Sequence, residues 1–274
     1  DNVPSLLLIA DGVHTIENYK SKISWEGDVN YLVIDFPITI IGESKDGCTI
    51  IGGLRMNGKK KDDVNVKNLT ISQSKTHGVY VFEGMVYEGM SFHLFHVNIE
   101  KSESIGVFVS GTKRNTMSNC QVSHSKDSAV YVINGGLITM NGSDTSIHNN
   151  VTGGSTGCYG LNTSSSSFSS IHLVSPLTKE IISINNDGGG NYSSYGTIKT
   201  IRSKEEVLCC VDAEGTLHVK PGLNSLSYAV IEANLYNINQ IFLENGVHDE
   251  KGEVVVIDFP ITIIGESKDG CTII

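Results

Sequence analysis

The chain has 274 residues, 39% of them hydrophobic, with 29 glycines, 5 prolines and 1 tryptophan, a profile that suits many short strands joined by tight turns better than packed helices. Its formal net charge of −10 argues against nucleic acid or an anionic membrane as the main partner, and would repel a polyuronate chain unless a basic patch or bound cation intervened. No apolar run approaches the roughly 18 residues of a membrane span.

The chain opens on Asp1 rather than Met, so it reads as processed or as a piece of something longer, with no signal peptide in view. Ser5–Ala10 (SLLLIA) is too short for a signal core and runs at once into a turn-like DGVH. After a stretch around Thr15–Leu32 that holds Trp25, Val33–Ile51 reads VIDFPITIIGESKDGCTII, and Val256–Ile274 repeats it without change over 19 residues. The segment reads as one winding of a coil, with Gly42 and Gly47 in the turn and Ile38, Ile40 and Ile50 as core. LLLIADGVH precedes the first copy and IFLENGVH the second, so Leu6–Ile51 and Ile241–Ile274 are two versions of one opening winding. They differ by an insertion around Thr15–Leu32. Asp62-Asp63, in GKKKDD, reads as a solvated mixed-charge turn rather than a cation site.

A weaker repeat follows: Asn68–Val81 (NLTISQSKTHGVYV), His96–Val109 (HVNIEKSESIGVFV), Asn119–Val132 (NCQVSHSKDSAVYV) and His148–Leu161 (HNNVTGGSTGCYGL). They align on Ile71, Ile99, Val122 and Val151. A small residue follows each anchor at the same distance: Gly78, Gly106, Ala129 and Cys158. Each unit reads as strand, turn, strand, turn, with Leu69 and Ile71 on one side and Thr70 and Ser72 on the other. The polar linkers are too short for a helical crossover. The economical solution is a parallel β-solenoid with a period of roughly 20–30 residues. Its predicted inward ladders are Leu69/Val97/Cys120, Ile71/Ile99/Val122/Val151, Val79/Val107/Val130 and Val81/Val109/Val132/Leu161. Thr70/Asn98/Gln121/Asn150 forms an outward column too mixed for an ice-binding threonine ladder. Asn149 falls where Leu69, Val97 and Cys120 stand, so either the register slips there or an asparagine is buried.

Leu161–Ser170 and Asp187–Gly196 read as loops or loosely wound late turns. Residues 1–200 are thus expected to form a parallel β-helix, with a linker at 201–216. Residues 217–274 supply a cap helix near 226–235 and the first turns of a second, incomplete β-helix repeat. Leu217–Glu250 shows this order: a short strand, Pro221-Gly222, an amphipathic helix, then IFLENGVHDE.

These units and the Leu217–Glu250 pattern resemble the right-handed parallel β-helix of the pectin-lyase-like superfamily. The resemblance implies an all-β solenoid in which the helix plugs the coil end. It does not fix an activity, because the fold hosts many. Three catalytic patterns of the superfamily are absent as complete sets. Against the polygalacturonase-like NTD, DD, GHG and RIK motifs, only THG at Thr76–Gly78 and NTM at Asn115–Met117 stand as fragments. Against the pectinesterase-like pattern, Asp35-Phe36 sits in the wrong context and Trp25 lies in the insertion. The calcium-binding carboxylates and RxPxxR-type arginines of pectate-lyase-like members have no counterpart. No catalytic residue, metal site or cofactor is assigned, and the balance leans away from an enzyme.

Tyr80, Phe108 and Tyr131 are the candidate ligand-binding residues. Each lies between inward aliphatics, so each should point outward and stack on the next turn, as a platform for sugar rings or as a stabilising surface ladder. His93 and His96 have metal-like spacing, but on a strand positions three apart face opposite sides. Ser123–Asp127 holds the letters of a catalytic triad within one turn, and adjacent letters are not a geometry. His14 and His248 are equivalent turn residues. The six cysteines read as small buried residues, and the five sequons are close to the roughly four that chance provides.

Two functions remain. One is a structural or adhesive β-helix module of a longer tandem-repeat or self-associating protein, with end-to-end self-association as partner and an extracellular or surface location. On this reading the chain is expected to continue, or a neighbour to supply the next turn. The other is a carbohydrate-binding or carbohydrate-active β-helix with a polysaccharide partner.

Overall fold

The computed structural model describes residues 5–20, 27–82, 89–164, 168–193, 195–251 and 255–274; Trp25 lies outside the described residues. The chain divides into two compact units, Asp1–Thr200 and Ile201–Ile274.

The first unit is a parallel β-helix with three faces. The first face stacks Leu6–Ile9, Ile38–Gly42, the first half of Asp63–Ser72, the first half of Ser91–Glu100, Asn115–Ser118, Leu137–Asn141 and Ser170–Val174. The second stacks Gly12–Thr15, Cys48–Ile51, the second halves of Asp63–Ser72 and Ser91–Glu100, Gln121–Ser123, Ser146–His148 and Ser183–Ile184. The third stacks Tyr31–Ile34, Gly53–Met56, Val79–Phe82, Val107–Ser110, Val130–Ile133 and Leu161–Thr163. Asp63–Ser72 and Ser91–Glu100 each run through two faces because one left-handed residue, Asn68 (φ 54) or His96 (φ 52), bends the strand without interrupting it. A second column of left-handed corners, Gln73, Lys101, His124 and Asn149, ends the second face. Such corners cost an L-residue stability, so stacking of like corners must offset that cost.

Alternation along each strand sends every second residue into the coil. Val64, Val66, Leu69, Ile71, Val79 and Val81 are fully buried, as are Val97, Ile99, Val107, Val109, Val122, Val130 and Val132. Each such side chain contributes about 1.5–3 kcal/mol by its removal from water. The expected ladders hold for three units: Leu69 pairs Val97, Ile71 pairs Ile99, Ile99 pairs Val122, Val79 pairs Val107 and Val107 pairs Val130.

The fourth unit corrects the sequence alignment. Val122 pairs Ile147, not Val151, and Gln121 pairs Ser146, not Asn150. Leu161 pairs Val130 and so joins the Val79/Val107 ladder rather than the Val81 ladder; Thr163 takes the place beside Val132. The cause is the corner. Twelve residues, Asn149–Gly160, lie between the second-face and third-face strands of this unit, where six, His124–Ala129, lie in the preceding coil. Val151 therefore falls within that lengthened corner, and Ile147 takes the place beside Val122. Asn149 is a left-handed corner residue (φ 55), and the asparagine that is buried is Asn150. Its amide donates to the carbonyls of Val122 and His148 and to Asn186 Oδ1, at 2.9, 2.9 and 3.0 Å.

The second unit begins with a short helix, Lys204–Leu208, within the segment expected to be a linker. Ser203 and Glu206 form its capping box. Arg202 forks onto buried Glu232, with Nη2 2.6 Å from Oε2. Two parallel stacks follow: Thr216–Val219, Gln240–Leu243, Thr262–Gly265, and Gly222–Leu223, Gly246–Asp249, Cys271–Ile273. The cap helix spans Ser225–Tyr236, one residue longer at each end than its sequence pattern predicts. Leu226, Ala229, Val230 and Ala233, spaced three to four apart, pack with Leu217, Ile241 and Leu243. Its first turn is held from far along the chain: the amides of Leu226 and Ser227 donate to the buried Glu250 carboxylate at 2.9 and 3.0 Å.

Both copies of the duplicated segment fold alike. In the first, Leu7 pairs Ile40 and Val13 pairs Thr49; in the second, Ile241 pairs Ile263 and Val247 pairs Thr272. The turns match as well. Ser44 Oγ donates to Asp11 Oδ1 at 2.8 Å, and Ser267 Oγ to Asn245 Oδ1 at 2.8 Å. His14 and His248 hold the carbonyls of Ala10 and Glu244 at 2.8 and 3.0 Å, so both serve the turn. Burial differs. Ile38, Ile40 and Ile50 are core, whereas Ile261 and Ile263 are half-buried and Ile273 is exposed.

Candidate functional site

The third face carries the candidate residues. Val33, Arg55, Tyr80, Phe108, Tyr131 and Asn162 stand in one register, coil after coil. They point outward because Val79, Val81, Val107, Val109, Val130 and Val132 on either side point in. The predicted stacking is present: Tyr80 and Phe108 are 5.3 Å apart between ring centroids, and Phe108 and Tyr131 meet edge to face at 5.8 Å.

The predicted exposure of the ladder is corrected at Tyr80, which is only 4% exposed. Tyr31 stacks on it at 6.1 Å, His77 tilts against it at 5.1 Å, and the Arg55 guanidinium lies 5.0 Å from the ring centroid. Tyr31 is anchored through its hydroxyl, which accepts from the His77 amide at 3.0 Å and from the Thr76 hydroxyl. His77 also lies flat on Phe108, at 5.2 Å and 12°. Its Nδ1 accepts from the Ile105 amide at 3.4 Å, which fits a neutral ring. Burial first, then the nearby Arg55 charge, pushes its pKa down to about 4. Phe108 and Tyr131 remain half-buried, so the ring surface open to a ligand is theirs. Sequence reasoning missed Tyr31, Arg55 and His77. Aligning Gly53–Met56 on Gly78–Val81 would have placed Arg55 in the column. Tyr31 lies within the insertion around Thr15–Leu32, and no repeat pattern points to it.

The other candidates do not converge. His93 and His96 share one strand, with His96 at its left-handed bend and stacked on Phe95. His93 instead meets Thr116 Oγ1 at 2.9 Å and Asp63 at 3.5 Å, while Arg114 pairs Asp63 at 2.9 Å. Asp63 therefore belongs to a surface cluster on the first face. Burial outweighs Asp63 and lowers the His93 pKa. Within Ser123–Asp127, His124 is a corner residue and Asp127 accepts from Ser104 at 2.9 Å, so no triad forms there. An open cleft of ≈ 470 Å³ is lined by Thr15, Glu17, Asn18, Lys75, Lys101 and Glu103, among others, and holds none of the ladder rings. Among the described residues, no group of three or more His, Cys, Asp or Glu side chains is placed to hold a metal ion. No described helix is long and apolar enough to cross a membrane.

A family model described as "Right handed beta helix region" matches residues 52–206, over half of the chain. No curated protein and no solved structure matches it.

Proposed function

The chain belongs to the right-handed β-helix family, and from that premise we propose that it is a non-enzymatic structural or adhesive module of a tandem-repeat or self-associating protein, working outside the cell or on its surface. The observation that carries this reading is the duplicated winding. One sequence is used twice, with the same strand register and the same turn hydrogen bonds, as in architectures that grow by adding like coils. Parallel coil edges present rows of backbone donors and acceptors that suit addition of a further strand. The test is sedimentation and negative-stain imaging of the purified 274-residue chain over a concentration series. Multimers or filaments are expected; a discrete monomer at every concentration refutes the self-associating form.

A second reading, contact with a polysaccharide, is favoured by one feature: Phe108 and Tyr131 present adjoining, half-buried rings on an outward column. An oligosaccharide array tests it. Binding should be lost in Phe108→Ala and Tyr131→Ala, and an array without hits removes this reading.

A further inference from the structure

The five sequons are equal as letters, but the fold gives them very different surroundings. We propose that Asn141 is a site of N-linked glycosylation, its side-chain amide taking an oligosaccharide from a lipid-pyrophosphate donor. The proposal rests on the extracellular or surface location read above, because such a donor meets a chain on its way out of the cell.

Four of the sequons are closed by the winding of the coil. Asn150 is fully buried, and its amide is engaged with Val122, His148 and Asn186. Asn162 is 6% exposed, and its amide donates to Ser128 Oγ at 3.1 Å and to the Gly157 carbonyl at 3.4 Å. Asn191 Oδ1 accepts from the Asn186 backbone amide at 3.0 Å, and Ser193, two residues on, is buried. In Asn68-Leu69-Thr70, Leu69 is fully buried and the Thr70 hydroxyl donates to the Lys45 carbonyl at 2.9 Å. A sugar on Asn150 or Asn162 would break bonds inside the coil and leave buried partners unpaired.

Asn141-Gly142-Ser143 is different. Met140 is buried, so strand alternation turns Asn141 outward at the end of Leu137–Asn141. Asn141 and Ser143 are both exposed, and the Asn141 side-chain amide makes no hydrogen bond to another described residue. The backbone around it is nevertheless held. The Asn141 carbonyl accepts from the Asn119 amide at 3.1 Å and from the Thr145 hydroxyl, and the Gly142 carbonyl accepts from the Thr145 amide at 3.1 Å. Gly142, at φ 85, supplies the left-handed residue this turn requires. The Ser143 hydroxyl reaches only its neighbour Asp144, at 3.3 Å. The acceptor thus stands on a firm turn with its reactive atoms in solvent. It belongs to the first face, whereas Phe108 and Tyr131 belong to the third, so a sugar here leaves their rings open.

In the transfer, Asn141 Nδ2 bonds to C1 of the first sugar as the C1–O bond to the pyrophosphate breaks. The lipid pyrophosphate leaves with that electron pair, Nδ2 gives up one proton, and nothing is oxidised or reduced.

The test is to express the 274-residue chain behind a cleavable secretion leader in eukaryotic cells, and to map glycopeptides from medium and lysate with and without peptide N-glycosidase. The chain in the medium should carry sugar at Asn141 and none at Asn150 or Asn162. Asn141→Gln and Ser143→Ala, both at exposed positions, should each abolish the glycosidase-sensitive gel shift while leaving circular dichroism unchanged. Released chain bare at Asn141 overturns the site and leaves the extracellular reading standing. Sugar on Asn150 or Asn162 of folded, released chain overturns the selection of Asn141 by burial. Sugar at Asn141 on a chain that stays inside the cell upholds the site and counts against the extracellular reading. A retained chain without sugar overturns both.

Discussion

Ile50 and Ile273 hold the same position in two identical segments, yet Ile50 is 2% exposed and Ile273 52%. The difference lies in what covers the coil. Ile71 pairs Ile50 from the next winding, and no described residue does so for Ile273. Local sequence therefore fixes the strand, the turn and the register in both places, while burial is set by a neighbour remote in sequence.

Truncation should then cost different amounts at the two sites. Ile50→Ala opens a cavity in a filled coil and should destabilise the first unit by about 3 kcal/mol. Ile273→Ala should cost less than about 1 kcal/mol. Urea unfolding of the two variants measures the contrast, and equal shifts would show that Ile273 is covered in solution.

The glycines of the same segment give a steric version of this contrast. A Cβ on Gly42 would lie 2.3 Å from the Asn68 carbonyl oxygen of the next coil and 2.8 Å from Leu69 Cβ. Backbone on that side cannot yield cheaply, so Gly42→Ala should cost about 2–3 kcal/mol. At Gly265 the nearest atom is Cys271 Cβ at 3.3 Å, and Gly265→Ala should cost within about 1 kcal/mol. Thermal or urea unfolding of both variants checks the difference.

The solenoid was legible in the sequence because its energetics are local and periodic: aliphatic residues alternate with polar ones, and the same pattern recurs a coil later. Three features were not. The slip that puts Ile147 in place of Val151 arises in a lengthened corner, where no hydrophobic alternation marks the register. The corner columns mix Asn, His, Gln and Lys, so composition does not announce a left-handed residue at His96 or Lys101. The burial of Tyr80 depends on Tyr31 and Arg55, from strands that meet it only after winding. Alternation predicts that Tyr80 faces outward but not what lies over it.

Acid should weaken the first unit through His172. This side chain is buried, and burial, followed by the Lys199 charge, lowers its pKa from 6.5 to about 3. Above about pH 6.5 the ring is neutral in both folded and unfolded states and adds no pH dependence. Below that, the unfolded chain takes up a proton that the folded ring refuses, so stability falls as pH falls towards the folded pKa. Between pH 6.5 and 5 the loss from this residue should be about 2 kcal/mol. His77, lowered to about 4, acts with the same sign. Urea midpoints at pH 7.5, 6 and 5 measure the slope, and His172→Leu should flatten it. An unchanged slope in that variant would place the acid sensitivity elsewhere.

The aromatic column should separate stability from contact. Tyr80 is enclosed by Tyr31, His77, Phe108 and the Arg55 guanidinium, so Tyr80→Ala should cost about 3–5 kcal/mol. It also frees the Arg55 charge from a ring face. Tyr131 meets Phe108 only edge to face and keeps part of its surface open. Tyr131→Ala should therefore cost about 1–2 kcal/mol, from one ring pair and partial burial, and leave the coil folded at room temperature. If Phe108 and Tyr131 form a contact surface, Tyr131→Ala should weaken adhesion or sugar binding while its melting curve stays close to that of the parent. Loss of binding only in step with loss of fold would make the column purely structural. Paired melting and binding measurements on Tyr80→Ala and Tyr131→Ala decide between the two.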